Sequence, residues 1–126
     1  MKLSNSVQMN LQEIKEILEA EIFAGDDFLD KEIKMAGGSD LMSDVLAFVK
    51  PGGLLLTGLT NPQVVRTAEM AELEAICFVR GKIPGKETIE LAEAKKVPLL
   101  GTHLSMFASC GRLFEKGMPD CFEYKT

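Results

Sequence analysis

The chain has 126 residues and a net charge of −5, and 46% of its residues are hydrophobic while 26% are charged. This length suits one globular domain, and the acidic balance without a Lys/Arg stripe argues against non-specific binding to nucleic acid. The longest strongly apolar run, residues 52–59, is far below the roughly 20 residues of a membrane-spanning helix, and no basic-then-apolar leader is present. We expect one cytoplasmic domain, residues 1–126, without nucleic-acid or membrane partners.

The first half of the chain predicts a helix, two short strands and a second helix. In residues 7–21 apolar side chains recur at helical spacing, namely Leu11, Ile14, Ile17 and Leu18. The pattern predicts an amphipathic N-terminal helix within residues 1–20, capped by Asn5 or Ser6. Residues 21–25 predict a short strand that ends in an acidic turn. Residues 31–36 alternate weakly and predict an exposed or edge strand that ends at Gly37 and Gly38.

Residues 41–57 predict a helix followed by a buried strand. Residues 41–49 are apolar nearly all round, which indicates a central, buried helix capped by Ser39 or Asp40 and ended by Pro51. The run at residues 54–57 is typical of a strand covered on both faces, as in a parallel sheet.

The second half alternates helices and strands. A helix capped by Asn61, with Pro62 at its first position, is expected to reach about Leu73. Strands are predicted at 75–79 and 97–101, with helices at 86–96 and 103–116. The last helix puts four residues on one face: Leu104, Phe107, Gly111 and Phe114. Residues 118–126 form a C-terminal tail. The expected fold is a single-domain α/β protein with an open, mostly parallel sheet and helices on both faces.

The motifs of nucleophilic, phosphate-binding and zinc-dependent catalysis are absent. A catalytic triad would need His103, the only histidine, with Ser105 or Cys110, and nothing in their positions pairs them. The three cysteines have no CxxC spacing, so reduced thiols are expected rather than disulfides. Cys77 lies in a strand pattern and Cys110 on a helical face, where core packing is more usual than metal ligation. We expect neither catalysis nor a metal site.

The sheet topology predicts that one group of polar residues lies together at the carboxyl ends of the strands. Ligands of open α/β sheets lie beyond the carboxyl ends of the strands, beside helix N-termini that favour anions. The ends of the three buried strands carry eight residues that form a predicted ligand site: Gly58, Thr60, Asn61, Arg80, Gly81, Lys82, Thr102 and Ser105. Their hydroxyls, glycines and two cations suit a phosphate or carboxylate. In the alternative interpretation these residues only cap helices and make turns, and the two cations only balance an acidic surface.

Several phrases in residues 22–117 resemble the DRTGG domain family: 39–46 (SDLMSDVL), 50–52 (KPG), 56–58 (LTG), 87–92 (ETIELA) and 97–100 (VPLL). Residues 77–82 (CFVRGK) through Thr102 are also similar to the N-terminal, non-catalytic domain of HPr kinase. The name-giving residues of the family fall on residues 59–61 and 80–82, where only Gly81 agrees.

The resemblance implies the DRTGG architecture, a regulatory role and often dimerisation, because such domains occur beside nucleotide-sensing CBS domains and in phosphotransacetylases. Kinase activity is not implied, since the resemblance covers only the non-catalytic domain. We therefore expect a regulatory module without a catalytic cofactor, with a nucleotide or phosphorylated metabolite as effector. A homodimer with residues 118–124 at its contact is expected. The alternative is a homo-oligomeric adaptor for a metabolic enzyme, without a small-molecule ligand.

Overall fold

The computed structural model of the protein describes residues 8–123. Five β-strands form its main sheet, and a strand pair lies beside it. In chain order the elements are β1 (Met9–Asn10), α1 (Leu11–Ile17), β2 (Glu21–Ala24), β3 (Glu32–Ile33), β4 (Met35–Gly38), α2 (Met42–Phe48), β5 (Gly53–Thr57), α3 (Pro62–Met70), β6 (Ala75–Phe78), α4 (Lys86–Lys95), β7 (Leu99–Gly101) and α5 (Met106–Glu115).

The main sheet has the strand order β2-β7-β6-β5-β4, in which β4, β5, β6 and β7 are parallel and β2 is antiparallel to β7. Each parallel step is made through a helix, which returns the chain to the same edge of the sheet. The sequence-based expectation of an α/β fold with a mostly parallel sheet is confirmed.

Helices cover both faces of the sheet. On one face, Leu54 and Leu56 of β5 pack with α1 and α5 in one apolar cluster. On the other face, Leu55 packs with α2, α3 and α4 in a second cluster. All five residues of β5 are buried, as expected for a central strand between two helical layers.

The predicted N-terminal helix begins later than expected. Within the described residues α1 starts at Leu11, because Asn10 caps it: the Asn10 side chain accepts from the Glu13 N–H, and the Glu13 side chain accepts from the Asn10 N–H, both at 2.9 Å. This reciprocal capping box fixes the boundary. The candidate caps Asn5 and Ser6 lie outside the described residues.

The single strand predicted at residues 31–36 is two strands. Ile33 of β3 pairs with Met9 of β1, whereas β4 pairs with β5 at the edge of the main sheet. The edge position expected for this segment is confirmed, and its split arises because the two halves pair with different partners.

The expectation that the helix at 41–49 is central and buried is wrong. In α2 only Val45 is fully buried, while Leu41 and Leu46 are exposed. The helix follows the edge strand β4 and packs beside α3, so only one stripe of it reaches the core. An apolar composition is not sufficient for burial at the end of a layer.

The last helix does not bury the apolar face that its sequence pattern forms. The side chains that α5 buries are Ser109 and Leu113, whereas Phe107 is 88% and Phe114 is 77% exposed. At 100° per residue, the two phenylalanines lie about 100–160° around the helix from Ser109 and Leu113, so the two pairs stand on different sides of it.

The predicted C-terminal tail packs against the sheet over its described part. The N–H of Cys121 donates to the carbonyl of Ala36 at 3.0 Å, and the N–H of Ala36 donates to the carbonyl of Pro119 at 3.0 Å. Met118, Cys121 and Phe122 are buried. Residues 118–122 therefore cover the edge of β4 within one chain. The dimer contact expected at residues 118–124 stays a prediction, and Tyr124 lies outside the described residues.

Candidate functional site

The carboxyl ends of β5, β6 and β7 lie at one edge of the sheet, as their parallel pairing requires. This edge carries the predicted site residues: Gly58, Thr60 and Asn61 after β5; Arg80, Gly81 and Lys82 after β6; Thr102 and Ser105 after β7. We call this group the strand-end site. The structure thus places the eight residues after adjacent strands, and their role in binding a ligand stays a prediction.

A carboxylate of the chain itself lies at this edge. Oδ1 of Asp40 accepts from the Gly58 N–H at 2.7 Å and from the Thr57 hydroxyl at 3.0 Å. Oδ2 of Asp40 is 3.6 Å from Nη2 of Arg80. The hydrogen bond from Gly58 holds the pKa of Asp40 below its ordinary value against the opposing effect of partial burial, and Thr57 and Arg80 act in the same direction as Gly58. Two neutral donors and one cation therefore favour negative charge at this point.

Arg80 is held in place by its backbone. Its φ of 61° and that of Gly81, 71°, are both left-handed, and the Arg80 N–H donates to the carbonyl of Leu104 at 2.7 Å. The guanidinium occupies the space that a Cβ of residue 58 would fill. A side chain at position 58 would therefore displace the guanidinium from its place beside Asp40, and the Arg80 side chain is 43% exposed to solvent.

Two helices begin beside this edge without a side-chain cap. Asn61 is the N-cap of α3 and Pro62 its first residue, as expected, but the Asn61 side chain makes no capping hydrogen bond. Gly85 is the N-cap of α4, also without a side-chain cap. The Thr88 hydroxyl of α4 donates to the carbonyl of Thr60 at 2.7 Å, which ties the two helix starts together. Uncapped N–H groups at helix starts favour anions.

Besides Gly58, whose N–H donates to Asp40, three of the predicted site residues are occupied within the chain. The Gly81 N–H donates to the carbonyl of Thr102 at 2.9 Å. The Thr102 hydroxyl is buried, donates to the carbonyl of Leu18 at 2.6 Å and accepts from Leu104. The Ser105 hydroxyl accepts from Ala108 as the cap of α5. The alternative interpretation, caps and turns, describes these three residues; Arg80 and the exposed Lys82 are the cations that remain for a ligand.

Sequence reasoning missed Asp40, which was considered only as a helix cap. Asp40 follows β4, and β4 is parallel to β5, so its carboxyl end meets the same edge as the other three. The sequence did predict an edge strand that ends at Gly38, two residues before Asp40. Because that strand was not assigned to the parallel sheet, Asp40 was not placed at the carboxyl edge with the other site residues.

A second concave feature lies between the sheet and α5. A cleft of about 470 Å³ is bordered by β4, by Leu56 of β5, by α5 and by residues 118–122. Most of the lining is apolar or glycine, and the one charged residue among the lining residues is Asp120. The lining residues are Ala36, Gly37, Gly38, Leu56, Phe107, Cys110, Gly111, Leu113, Phe114, Met118, Asp120 and Phe122. The volume lies in the range of small-molecule pockets.

The cysteine thiols are protected from reaction. Burial raises the pKa of Cys77 to about 12, and burial with the nearby Asp120 carboxylate raises the pKa of Cys121 to about 12. The pKa of the half-buried Cys110 is raised for the same two reasons. The thiolate, which is the nucleophile, is therefore scarce at neutral pH.

We expect one slow alkylation of the native protein by iodoacetamide at pH 7, at Cys110, and three after unfolding in denaturant. The rate at Cys110 rises with pH as the thiolate fraction grows, and it is low at pH 7 because the pKa of this thiol is raised. Mass spectrometry of the labelled peptides checks this expectation. Rapid labelling of Cys77 or Cys121 in the native protein would contradict the burial of these thiols.

Within residues 8–123 no group of three His, Cys, Asp or Glu side chains is arranged to hold a metal ion. No helix in that part of the chain has the length and apolar character needed to cross a membrane.

Comparison with known proteins gives a match at the level of the fold. No family model matches the chain, and no curated protein does. Among solved structures, the chain is similar to the CBS and DRTGG domains of the regulatory region of Clostridium perfringens pyrophosphatase, crystallised with its activator diadenosine tetraphosphate. The TM-score is 0.69 at 18% sequence identity, over 93% of this chain and 51% of that chain.

The chain thus spans about half the length of the pyrophosphatase regulatory chain that it matches. At 18% identity the likeness shows the fold, whereas ligands and partners are not carried over. Membership of the DRTGG family and the resemblance to HPr kinase stay predictions. The comparison supports a DRTGG-like α/β fold for this chain.

Proposed function

We propose that the protein is a non-catalytic regulatory module that binds a small anionic ligand, a nucleotide or a phosphorylated metabolite, at the strand-end site. The observation that carries the proposal is the placement of Asp40: an intrinsic carboxylate is held by Gly58, Thr57 and Arg80 at the carboxyl edge of the sheet. The same donors suit a phosphate.

Solvent access supports the proposal. The side chains of Arg80 and Asp40 are 43% and 44% exposed, so a ligand can reach the guanidinium from the open side. The uncapped starts of α3 and α4 meet at Thr60, next to β5, and Lys82 adds a second exposed cation. In this arrangement the ligand competes with Asp40 for Arg80, and the Asp40 carboxylate tunes the affinity.

The structural neighbour gives a reason to begin with nucleotides. The pyrophosphatase regulatory region was crystallised with diadenosine tetraphosphate, an activator with several phosphates. For the present chain a nucleotide is a proposal that rests on the shared fold and on the charges of the strand-end site. We expect no turnover of the bound ligand, since the chain carries none of the nucleophile or phosphate-binding motifs sought in its sequence.

Two substitutions with opposite expected effects test the site. The ligand is first found with a thermal-shift panel of nucleotides, phosphorylated sugars and inorganic phosphate. A ligand present at 100 times its dissociation constant adds about 2.7 kcal/mol to the free energy of unfolding. Arg80→Ala then weakens binding by about 1.5–3 kcal/mol, the value of a charge-assisted hydrogen bond. Asp40→Asn strengthens binding, because it removes the competing charge and keeps an acceptor for Gly58. Isothermal titration measures both.

Arg66→Ala, on the exposed surface of α3, is the matched control and leaves affinity unchanged. The free protein loses at most about 1 kcal/mol of stability in Arg80→Ala, because its ion pair is solvent-exposed. The proposal fails if no compound in the panel stabilises either the wild type or Asp40→Asn.

A second candidate function is an interaction or adaptor protein for a metabolic enzyme. The observation that favours it is the exposure of Phe107 and Phe114 on one helix, because large exposed apolar side chains that lie close together are typical of contact surfaces. The two functions are compatible, since the strand-end site and the outer face of α5 use different residues.

A further inference from the structure

The cleft between β4, Leu56 of β5, α5 and residues 118–122 has an apolar floor, and we call it the α5 cleft. Leu56 and Leu113 line it, and both are almost completely buried. Its volume of about 470 Å³ lies in the range of small-molecule pockets. A stable protein partner needs an interface of roughly 1,200 Å² or more. The size of the α5 cleft therefore suits a small molecule.

Two phenylalanines of α5 line the cleft with a gap between them. Phe107 and Phe114 are 88% and 77% exposed. They stand on nearly the same side of the helix, about 10 Å apart along its axis. Gly111 lies between them and also lines the cleft, and a Cβ at this position would meet nothing within 4 Å. The gap is therefore open down to the backbone of the helix.

The packing of the described chain does not require glycine at position 111. Glycine inside a helix costs about 1 kcal/mol relative to alanine. A larger side chain at Gly111 would enter open space and would fill the gap between the two rings. Glycine at this position thus keeps the α5 cleft open at a cost to the helix.

Asp120 is the one charged residue among the lining residues of the cleft. The backbone on both sides of it is hydrogen-bonded to Ala36 of β4 at 3.0 Å, which fixes its place. Its Oδ1 accepts from the N–H of Phe122 at 2.9 Å. In the described part of the chain no Lys, Arg or His nitrogen lies within salt-bridge distance of the carboxylate. The Asp120 charge is therefore available to a cation.

The charge of Asp120 acts inside the cleft. Burial and, after it, the Asp120 carboxylate raise the pKa of Cys110 and of Cys121. Cys110 lines the cleft next to Gly111, so the carboxylate lies near the gap between the rings. Lys50 lowers the pKa of Cys121, but its effect is smaller than that of Asp120, and it is not among the lining residues. The lining thus carries a negative charge that no lining residue balances.

The aromatic and acidic groups of the lining favour the same ligand chemistry. The face of a phenyl ring attracts cations, and a carboxylate forms a charge-assisted hydrogen bond with an ammonium group. The apolar floor and the two rings offer burial to a hydrocarbon or aromatic body. An anion would meet the repulsion of Asp120, and a neutral apolar molecule would leave that charge unused.

We propose that the α5 cleft is a binding site for a small organic amine. The ammonium group pairs with Asp120, and the apolar body lies over Gly111 in the gap between Phe107 and Phe114. The site is separate from the strand-end site, because none of the eight residues there lines the cleft. It gives the chain a second ligand of opposite charge.

Matched compounds that differ in charge test the proposal. The amines are tryptamine, phenethylamine and hexylamine; tryptophol, phenylethanol and hexanol are the neutral analogues, and indoleacetate, phenylacetate and hexanoate are the anionic ones. Binding is followed by the amide resonances of Gly38 and Gly111 in nuclear magnetic resonance spectra of the full chain. We expect at least one amine to bind, its alcohol to bind about tenfold more weakly or less, and its carboxylate not to bind.

Two substitutions separate the charge from the space. Asp120→Asn keeps an acceptor for the N–H of Phe122 and lowers the affinity for the amine about tenfold, to that of the alcohol. Gly111→Leu abolishes binding of both compounds, while the urea midpoint equals or exceeds that of the wild type, because leucine favours the helix. Asp27→Asn, an exposed change outside the cleft, is the matched control and leaves the affinity unchanged.

The proposal is overturned if no amine of the panel binds the wild type, if the alcohols bind as tightly as the amines, or if Gly111→Leu still binds. A lysine-rich peptide that shifts the cleft resonances where no free amine does would identify a protein partner and would also overturn it. Anions at the strand-end site are followed in the same spectra at Gly58 and Gly81, so either proposal can fail alone.

Discussion

Phe78→Ala is expected to lower the free energy of unfolding by about 3–5 kcal/mol, the usual cost of truncating a fully buried phenylalanine. Phe78 is completely buried at the end of β6, in the cluster that α3 and α4 form with the sheet. Because the residues around the ring are close-packed, we expect them to relax only partly into the space that it leaves. Urea unfolding at one fixed protein concentration, monitored by circular dichroism, gives the value.

Ile83→Ala is the control for this truncation, because Ile83 is 73% exposed and is expected to change stability by less than about 0.5 kcal/mol. A loss below about 1.5 kcal/mol at Phe78 would mean that the layer relaxes around the gap, contrary to the packing of the two faces described above.

Thr102→Val is expected to cost about 2–4 kcal/mol although it keeps the shape of the side chain, because a buried polar group without a partner costs about 1–3 kcal/mol. The Thr102 hydroxyl donates to the carbonyl of Leu18 and accepts from the N–H of Leu104, and it therefore joins α1 to the loop before α5. Valine leaves both backbone groups without this partner.

Thr102→Ser separates the hydroxyl from the methyl group. It keeps both hydrogen bonds and is expected to retain most of the stability in the same urea experiment. Equal losses in the two variants would show that the methyl group, rather than the hydroxyl, carries the effect. This result would mean that the hydrogen bonds of Thr102 to Leu18 and Leu104 contribute little to the free energy of unfolding.

Local signals in the sequence predicted the central part of the fold. The apolar runs of β5, β6 and β7 are bounded by turn residues and are buried on both faces, so their composition alone indicates parallel strands. The start of α3 at Asn61 and Pro62 was also predictable, because the cap preference is a property of neighbouring residues. From these elements the position of the strand-end site at one edge followed.

Tertiary structure decided which faces are buried and which donors remain for a ligand. The sequence of α5 contains two competing apolar faces, and only its packing against β4, β5 and α1 selects Leu113 for the core and leaves Phe107 and Phe114 outside. Likewise, Thr102 looks like a ligand contact in sequence, but Leu18, far away along the chain, takes its hydroxyl. Helical spacing and residue type are local, whereas burial and hydrogen-bond partners depend on chain segments that meet only on folding.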